Sequence, residues 1–227
     1  MSSNDLFKKK RAERKKRGFE YKQPRANSYL IVTEGEKTEP LYFKGLQKLV
    51  KEKMGGNIDV YEVPLIDIEG VGRGTSALLR KAEELVSRAK IIYQNVWIVF
   101  DKDDFRDFDQ AIYEGERKGY KVAWSNESFE YWLFLHFEYS DAALHRKEWN
   151  KRLGNIFRQR GMGNGTYRKN YENIYRIVDQ YDGVSQALKH ARRRMDEFHS
   201  SKCKPSEYSP GTTVYLLVEE LRRFLDE

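Results

Sequence analysis

Tyr29-Leu-Ile-Val-Thr33 runs directly into Glu34-Gly-Glu-Lys-Thr-Glu-Pro40, and Val96-Trp-Ile-Val-Phe100 runs directly into Asp101-Lys-Asp-Asp104. Each stretch starts as a short run of β-branched, aliphatic and aromatic residues, the pattern of a strand buried on both faces. Each then ends in acids. In an open α/β sheet the carboxyl ends of neighbouring strands form the crevice where ligands bind. Two acidic loops on one such edge crowd carboxylates together, at a cost unless a cation neutralises them. Hard divalent ions such as Mg²⁺ or Mn²⁺ take oxygen ligands. The two stretches therefore predict an enzyme that uses such an ion on phosphates.

Strand and helix signals alternate outward from these runs. After Tyr29–Thr33, a helix begins near Thr38, which can cap it, with Pro40 in the first turn where no amide partner is needed. Leu41, Phe43, Leu46, Leu49 and Val50 repeat at helical spacing until Gly55-Gly56. A strand is expected over Ile58–Ile66, then the loop Glu69-Gly-Val-Gly-Arg-Gly74 and a helix from Thr75 to about Lys90. The third strand is Val96–Phe100, with a helix over Phe108–Lys118; the fourth strand is Tyr120–Trp124, with an apolar helix over Glu127–Phe137. Beyond about residue 140 the pattern is helical only, over Glu148–Arg158, Tyr171–Gln180, Ser185–Phe198 and Thr213–Leu225. The expected fold is α/β: a four-stranded parallel sheet flanked by helices, with a helical C-terminal extension. The expected division is a flexible basic arm over 1–27, a catalytic domain over 28–140 and a helical region over 141–227 packed on it.

The net charge of +7 is unevenly spread. Residues 1–17 carry +6, residues 18–150 carry −4, residues 151–204 carry +8 and the remainder −3. An acidic cleft flanked by basic surfaces suits a polyanion, although the stretch from Lys8 to Arg17 also reads as a solubilising arm. No run of 18 apolar residues exists and no apolar stretch follows the basic N-terminus, which argues against a membrane span or signal peptide. A single cysteine, Cys203, excludes an internal disulfide and a multi-cysteine zinc site. A cytoplasmic protein is expected.

Asp101 and Asp103 are separated by one residue, so in extended chain their side chains project the same way and can share an ion; Asp103-Asp104 can equally cap the next helix. Glu34 can bind metal or move a proton, or it can simply favour a helix N-terminus. Glu36 and Glu39 share that ambiguity. The order of the motifs disfavours other phosphate chemistries. A haloacid-dehalogenase-like phosphatase needs its Asp-x-Asp after the first strand. A receiver domain needs an acidic pair after the first strand and a lone Asp after the third. Gly70-Val-Gly-Arg-Gly74 lacks the Gly-Lys-Ser/Thr of a P-loop.

Glu-Gly after the first strand and Asp-x-Asp after the third resemble the Toprim domain of topoisomerases, primases and related nucleases. More specifically, Ile31-Val-Thr-Glu-Gly-Glu-Lys-Thr-Glu-Pro-Leu-Tyr-Phe43, Trp97-Ile-Val-Phe-Asp-Lys-Asp-Asp-Phe105 and Ser125-Asn-Glu-Ser-Phe-Glu-Tyr-Trp-Leu-Phe-Leu-His-Phe137 resemble the signature blocks of the RloB family. Tyr167-Arg-Lys169 and Pro210-Gly-Thr-Thr-Val-Tyr-Leu-Leu-Val218 resemble its C-terminal blocks. The likeness spans residues 29–226, although family members often carry Asn-Pro where this chain has Asn126-Glu127. The resemblance implies a Toprim-fold nuclease linked to restriction loci and abortive phage resistance, acting on DNA or RNA, including transfer RNA. It implies Glu34, Asp101, Asp103 and Glu130 as catalytic and metal-binding residues. Glu130 also stands out unaided, as an acid in an otherwise apolar helix, although a first-turn acid has a dipole role too. Lys37, Arg73, Lys102 and Lys169 are candidate contacts to nucleic-acid phosphates. The implied partners are nucleic acid, a restriction or ATPase defence protein and a second copy of the chain. The competing expectation is a non-catalytic binding or sensor subunit.

Overall fold

A computed structural model describes residues 22–54, 65–72, 74–102, 107–198 and 203–226. The first strand, β1 (Gln23–Thr33), leads into helix α1 (Thr38–Met54). Strand β2 (Leu65–Gly70), helix α2 (Thr75–Arg88), strand β3 (Ile91–Asp101), helix α3 (Phe108–Arg117) and strand β4 (Lys121–Asn126) continue the alternation. Then come helices α4 (Phe129–Leu135), α5 (Arg146–Gln159), α6 (Ile174–Val178) and α7 (Gly183–Asp196), a short strand β5 (Gly211–Thr212) and helix α8 (Val214–Asp226). Among the described residues no helix is long and apolar enough to cross a membrane.

The sheet has five strands in the order β2-β1-β3-β4-β5, parallel except for the antiparallel β4–β5 pair. Three of the expected strands are present and parallel, the second is described only from Leu65 onward, and the four-strand count is corrected by one added edge strand. Two residues are too few to carry a period-2 pattern, which is why Gly211-Thr212 reads as loop in the sequence. Their pairing with Ser125 and Asn126 means that the C-terminal region is not purely helical. A second correction concerns the basic arm. Residues 23–27 belong to β1, where Gln23, Pro24 and Arg25 pair with Ile91, Ile92 and Tyr93 before a register shift. This extension is mostly exposed and polar, so no apolar periodicity announces it. Residues 1–21 lie outside the described residues. Of the strand expected at 58–66, residues 58–64 also lie outside them, and the described part runs on to Gly70.

The doubly buried runs follow from helices covering both faces. Tyr29 and Ile31 point with Trp97, Val99 and Ala123 into the larger core, built with α1 and with the C-terminal helices α4 to α8. Leu30 and Val32 point with Ile98, Phe100 and Trp124 to the opposite face, packed with Leu78, Leu79 and Ala82 of α2 and Phe108, Ala111 and Ile112 of α3. Alternate residues of one strand thus serve opposite cores, which demands a continuous apolar run. The C-terminal helices share the larger core with the sheet and with Tyr42, Phe43 and Leu46 of α1.

Candidate active site

The parallel pairing of β1 with β3 brings their acidic ends together. Thr33 sits opposite Val99, and the Glu34 amide continues the ladder by donating to the Val99 carbonyl at 2.8 Å. Two residues on, the Asp101 amide donates to Glu34 Oε2 at 3.2 Å. The chain then leaves β4 through a cis Asn126–Glu127 peptide into α4. There the Phe129 amide donates to Asp101 Oδ2 at 3.0 Å. Glu130 is next, only 2% exposed, and its Oε1 accepts from the Lys169 ammonium at 2.8 Å and the Tyr167 hydroxyl at 3.3 Å.

A fourth carboxylate joins them. Glu39, in the first turn of α1 and 9% exposed, folds back over the Glu34 loop. A β-carbon on Gly35 would fall 2.1 Å from Glu39 Oε2, so the missing side chain at position 35 makes room for this acid rather than for ligand alone. The loop after β2 buttresses the arrangement: the amides of Val71 and Gly72 donate to the carbonyls of Thr33 and Glu34 at 3.0 and 2.7 Å. Gly72 takes a left-handed φ of +63° there, against the Glu36 carboxylate.

Glu34, Glu39, Asp101 and Glu130 line a cleft of about 440 Å³, with Lys37, Arg146 and Lys169 among its other walls. Burial pushes the Glu34 carboxyl up to about 7; the Glu39 charge adds to the shift, while the Asp101 amide and Arg146 oppose it. Asp101 is raised well above the usual carboxylate range by burial and by the charges of Glu39, Glu130 and Glu34, against the pull of the Phe129 amide. Glu39 is also raised, first by burial and then by Glu130, with backbone amides and Lys169 opposing. These acids are close enough to resist one another's ionisation, so the cleft favours a cation.

The expected site residues fall into three groups. Glu34, Asp101 and Glu130 converge as predicted, with Lys37 and Lys169 beside them. Asp103 and Arg73 lie outside the described residues. Lys102 does not line the cleft. Its ammonium donates to the Ser206 carbonyl at 2.8 Å, which also accepts from Asn126 Nδ2 at 3.0 Å, while Ser206 donates its amide and hydroxyl to Asp109. Thr38 does not cap α1 either. It lies within the helix, and its hydroxyl donates to the Lys169 carbonyl at 2.9 Å.

In the sequence Glu39 is marked only by the glycine four residues before it. Arg146, the first residue of α5, carries no local mark of its role, since the acids it meets lie 16 to 112 residues away in sequence. The sequence assigns Tyr167 no role.

The donor chemistry fits a hard divalent ion, since the converging groups are carboxylate oxygens whose mutual repulsion an ion would relieve. Among the described residues, however, no three Asp, Glu, His or Cys side chains come together as a ready ligand set. His136, by contrast, is neutral core: its Nε2 pairs with the Tyr42 hydroxyl at 3.1 Å and its Nδ1 with the Trp132 carbonyl at 3.0 Å.

A protein-family model described as RloB-like protein matches residues 29–221. No curated protein and no solved structure matches the chain.

Proposed function

The chain belongs to the RloB-like family, and from that premise we propose that it is a Toprim-type nuclease hydrolysing phosphodiester bonds in nucleic acid with Mg²⁺ or Mn²⁺. The observation that carries this reading is the convergence of Glu34, Glu39, Asp101 and Glu130 at the carboxyl edge of a parallel sheet, faced by Lys37, Arg146 and Lys169. Glu34 and Asp101, with Asp103, would hold the ion, with Glu130 beside it; the ion would supply charge stabilisation at the phosphate and an activated water.

The chain's own groups account for the rest of the site. The Asp101 and Phe129 amides fix one oxygen each of Glu34 and Asp101, leaving the other oxygens for ligand. Lys37, Arg146 and Lys169 supply positive charge for a bound phosphodiester. Without an ion, burial holds the Glu34 carboxyl at about 7, so a bound cation would draw it into its ionised, ligating form. The basic N-terminal arm and the +8 segment at 151–204 would hold the polyanion beyond the cleft. A role in phage defence rests on the family resemblance.

A second reading, a non-catalytic nucleic-acid sensor within a defence complex, draws on one observation: no ready ligand set exists among the described residues. One experiment separates the two. Pure protein is incubated with labelled single- and double-stranded DNA, RNA and transfer RNA, with and without Mn²⁺. Metal-dependent cleavage that is lost in Asp101→Asn is expected. Binding without cleavage under every condition would instead establish the sensor.

A further inference from the structure

The four carboxylates of the cleft divide into two pairs held in different ways. Glu34 and Asp101 are fixed by backbone amides, those of Asp101 and Phe129. Glu130 pairs with a lysine whose charge also reaches Glu39. The Lys169 ammonium lies 2.8 Å from Glu130 Oε1, and its charge also favours the ionised form of Glu39.

The Lys169 side chain is 55% exposed along its length, but its ammonium meets an acid only 2% exposed, and its backbone is held at the cleft. Its carbonyl accepts from the hydroxyl of Thr38, a residue 4% exposed and adjacent to Glu39. Two residues earlier, the Tyr167 hydroxyl donates to the same Glu130 oxygen, and the Tyr167 ring packs edge-on against buried Phe157 with centroids 5.4 Å apart. Two residues later, the Tyr171 hydroxyl closes the loop by donating to the carbonyls of Thr166 and Gly163. The Tyr167–Lys169 segment thus bonds the wall of the cleft twice, through Glu130 and through Thr38. The ammonium supplies a positive charge to a buried acid that would be costly to leave unpartnered, and that cost holds it there.

We infer that Lys169 is the resident cation of this site: its ammonium occupies the place beside Glu130 and Glu39 that a second metal ion would need, so the cleft takes one divalent ion, on the Glu34–Asp101 side. The inference rests on the metal-dependent reading proposed above. Two-metal sites place their ions roughly 3.5–4 Å apart, and an ammonium at contact distance from Glu130 leaves no room for the second.

The test counts Mn²⁺ per chain, by titration calorimetry and by the loss of the free-ion electron paramagnetic resonance signal. It uses full-length wild type, Lys169→Met, Lys169→Gln and Lys169→Arg, each verified as folded by its circular dichroism melt. One ion is expected in wild type and in Lys169→Arg. Two are expected in Lys169→Met and Lys169→Gln, with the second abolished by adding Glu130→Gln. Two ions in wild type, or one ion in all four proteins, would overturn the inference and leave the metal-dependent reading standing. No bound ion in any of them would overturn that reading and this inference with it.

Discussion

The amide of Asp101 donates to the side chain of Glu34 across two neighbouring parallel strands, at 3.2 Å. This single contact joins the two acidic motifs. It fixes one Glu34 oxygen and makes the position of the Glu34 carboxylate depend on the register of β1 against β3.

The first consequence is a pH dependence of stability without metal. Glu34 is raised to about 7 in the folded protein from an unfolded value of 4.5. The folded state then binds more protons between those values, so this group's contribution is full below pH 4.5 and is lost as pH rises through 7. With chelator present, urea midpoints should fall across this window. Glu34→Gln should flatten that part of the profile, by on the order of 1–2 kcal/mol after discounting for partial exposure. Identical profiles for the two proteins would contradict the assignment.

Gly35→Ala tests the room left for Glu39. Its β-carbon would come within 2.5 Å of the Glu39 carboxyl group, the flexible end of a side chain that can be pushed aside. Stability should change by no more than about 1 kcal/mol, while Mn²⁺ affinity and cleavage drop because an acid has left the cleft. A large loss of thermal stability with metal affinity unchanged would show that Gly35 serves the backbone instead.

Glu130→Gln keeps an acceptor for the Tyr167 hydroxyl and the Lys169 ammonium while removing the charge. Folding and nucleic-acid binding should survive, and metal-dependent cleavage should fall by at least ~100-fold. If Glu130 were only a first-turn acid, the substitution would cost about 0.3–1 kcal/mol of stability and cleavage would persist.

The buried His136 works in the opposite sense to Glu34. Burial lowers its pKa to about 3, so it stays neutral between Tyr42 and Trp132. Its contribution is full above the unfolded value of 6.5 and is lost as pH falls through about 3. Stability should therefore decline on acidification below about pH 6. Tyr42→Phe leaves the ring nitrogen unpaired and should cost about 1–3 kcal/mol, read as a shift in urea midpoint. A midpoint unmoved by Tyr42→Phe would mean that the buried pair contributes nothing.

The sequence alone determined the strands at Tyr29–Thr33 and Val96–Phe100, the helices between them and the acids that end the two strands. Those features are written in local periodicity: alternate residues of one strand enter opposite cores, so the apolar run is continuous and its acidic end is abrupt. Glu34 and Asp101 were legible for that reason, and Glu130 as a lone acid in an apolar helix. The tertiary structure alone decided what surrounds them. The sheet order sets β1 beside β3 and so places Glu34 against Asp101. Packing of the C-terminal region brings Arg146 and Lys169 into the cleft. Lys102, adjacent to Asp101 in sequence, is drawn instead to the Ser206 carbonyl. Sequence proximity places a residue on an element, but only packing between distant elements decides which cation meets which carboxylate, and the Lys169–Glu130 pair spans 39 residues for that reason.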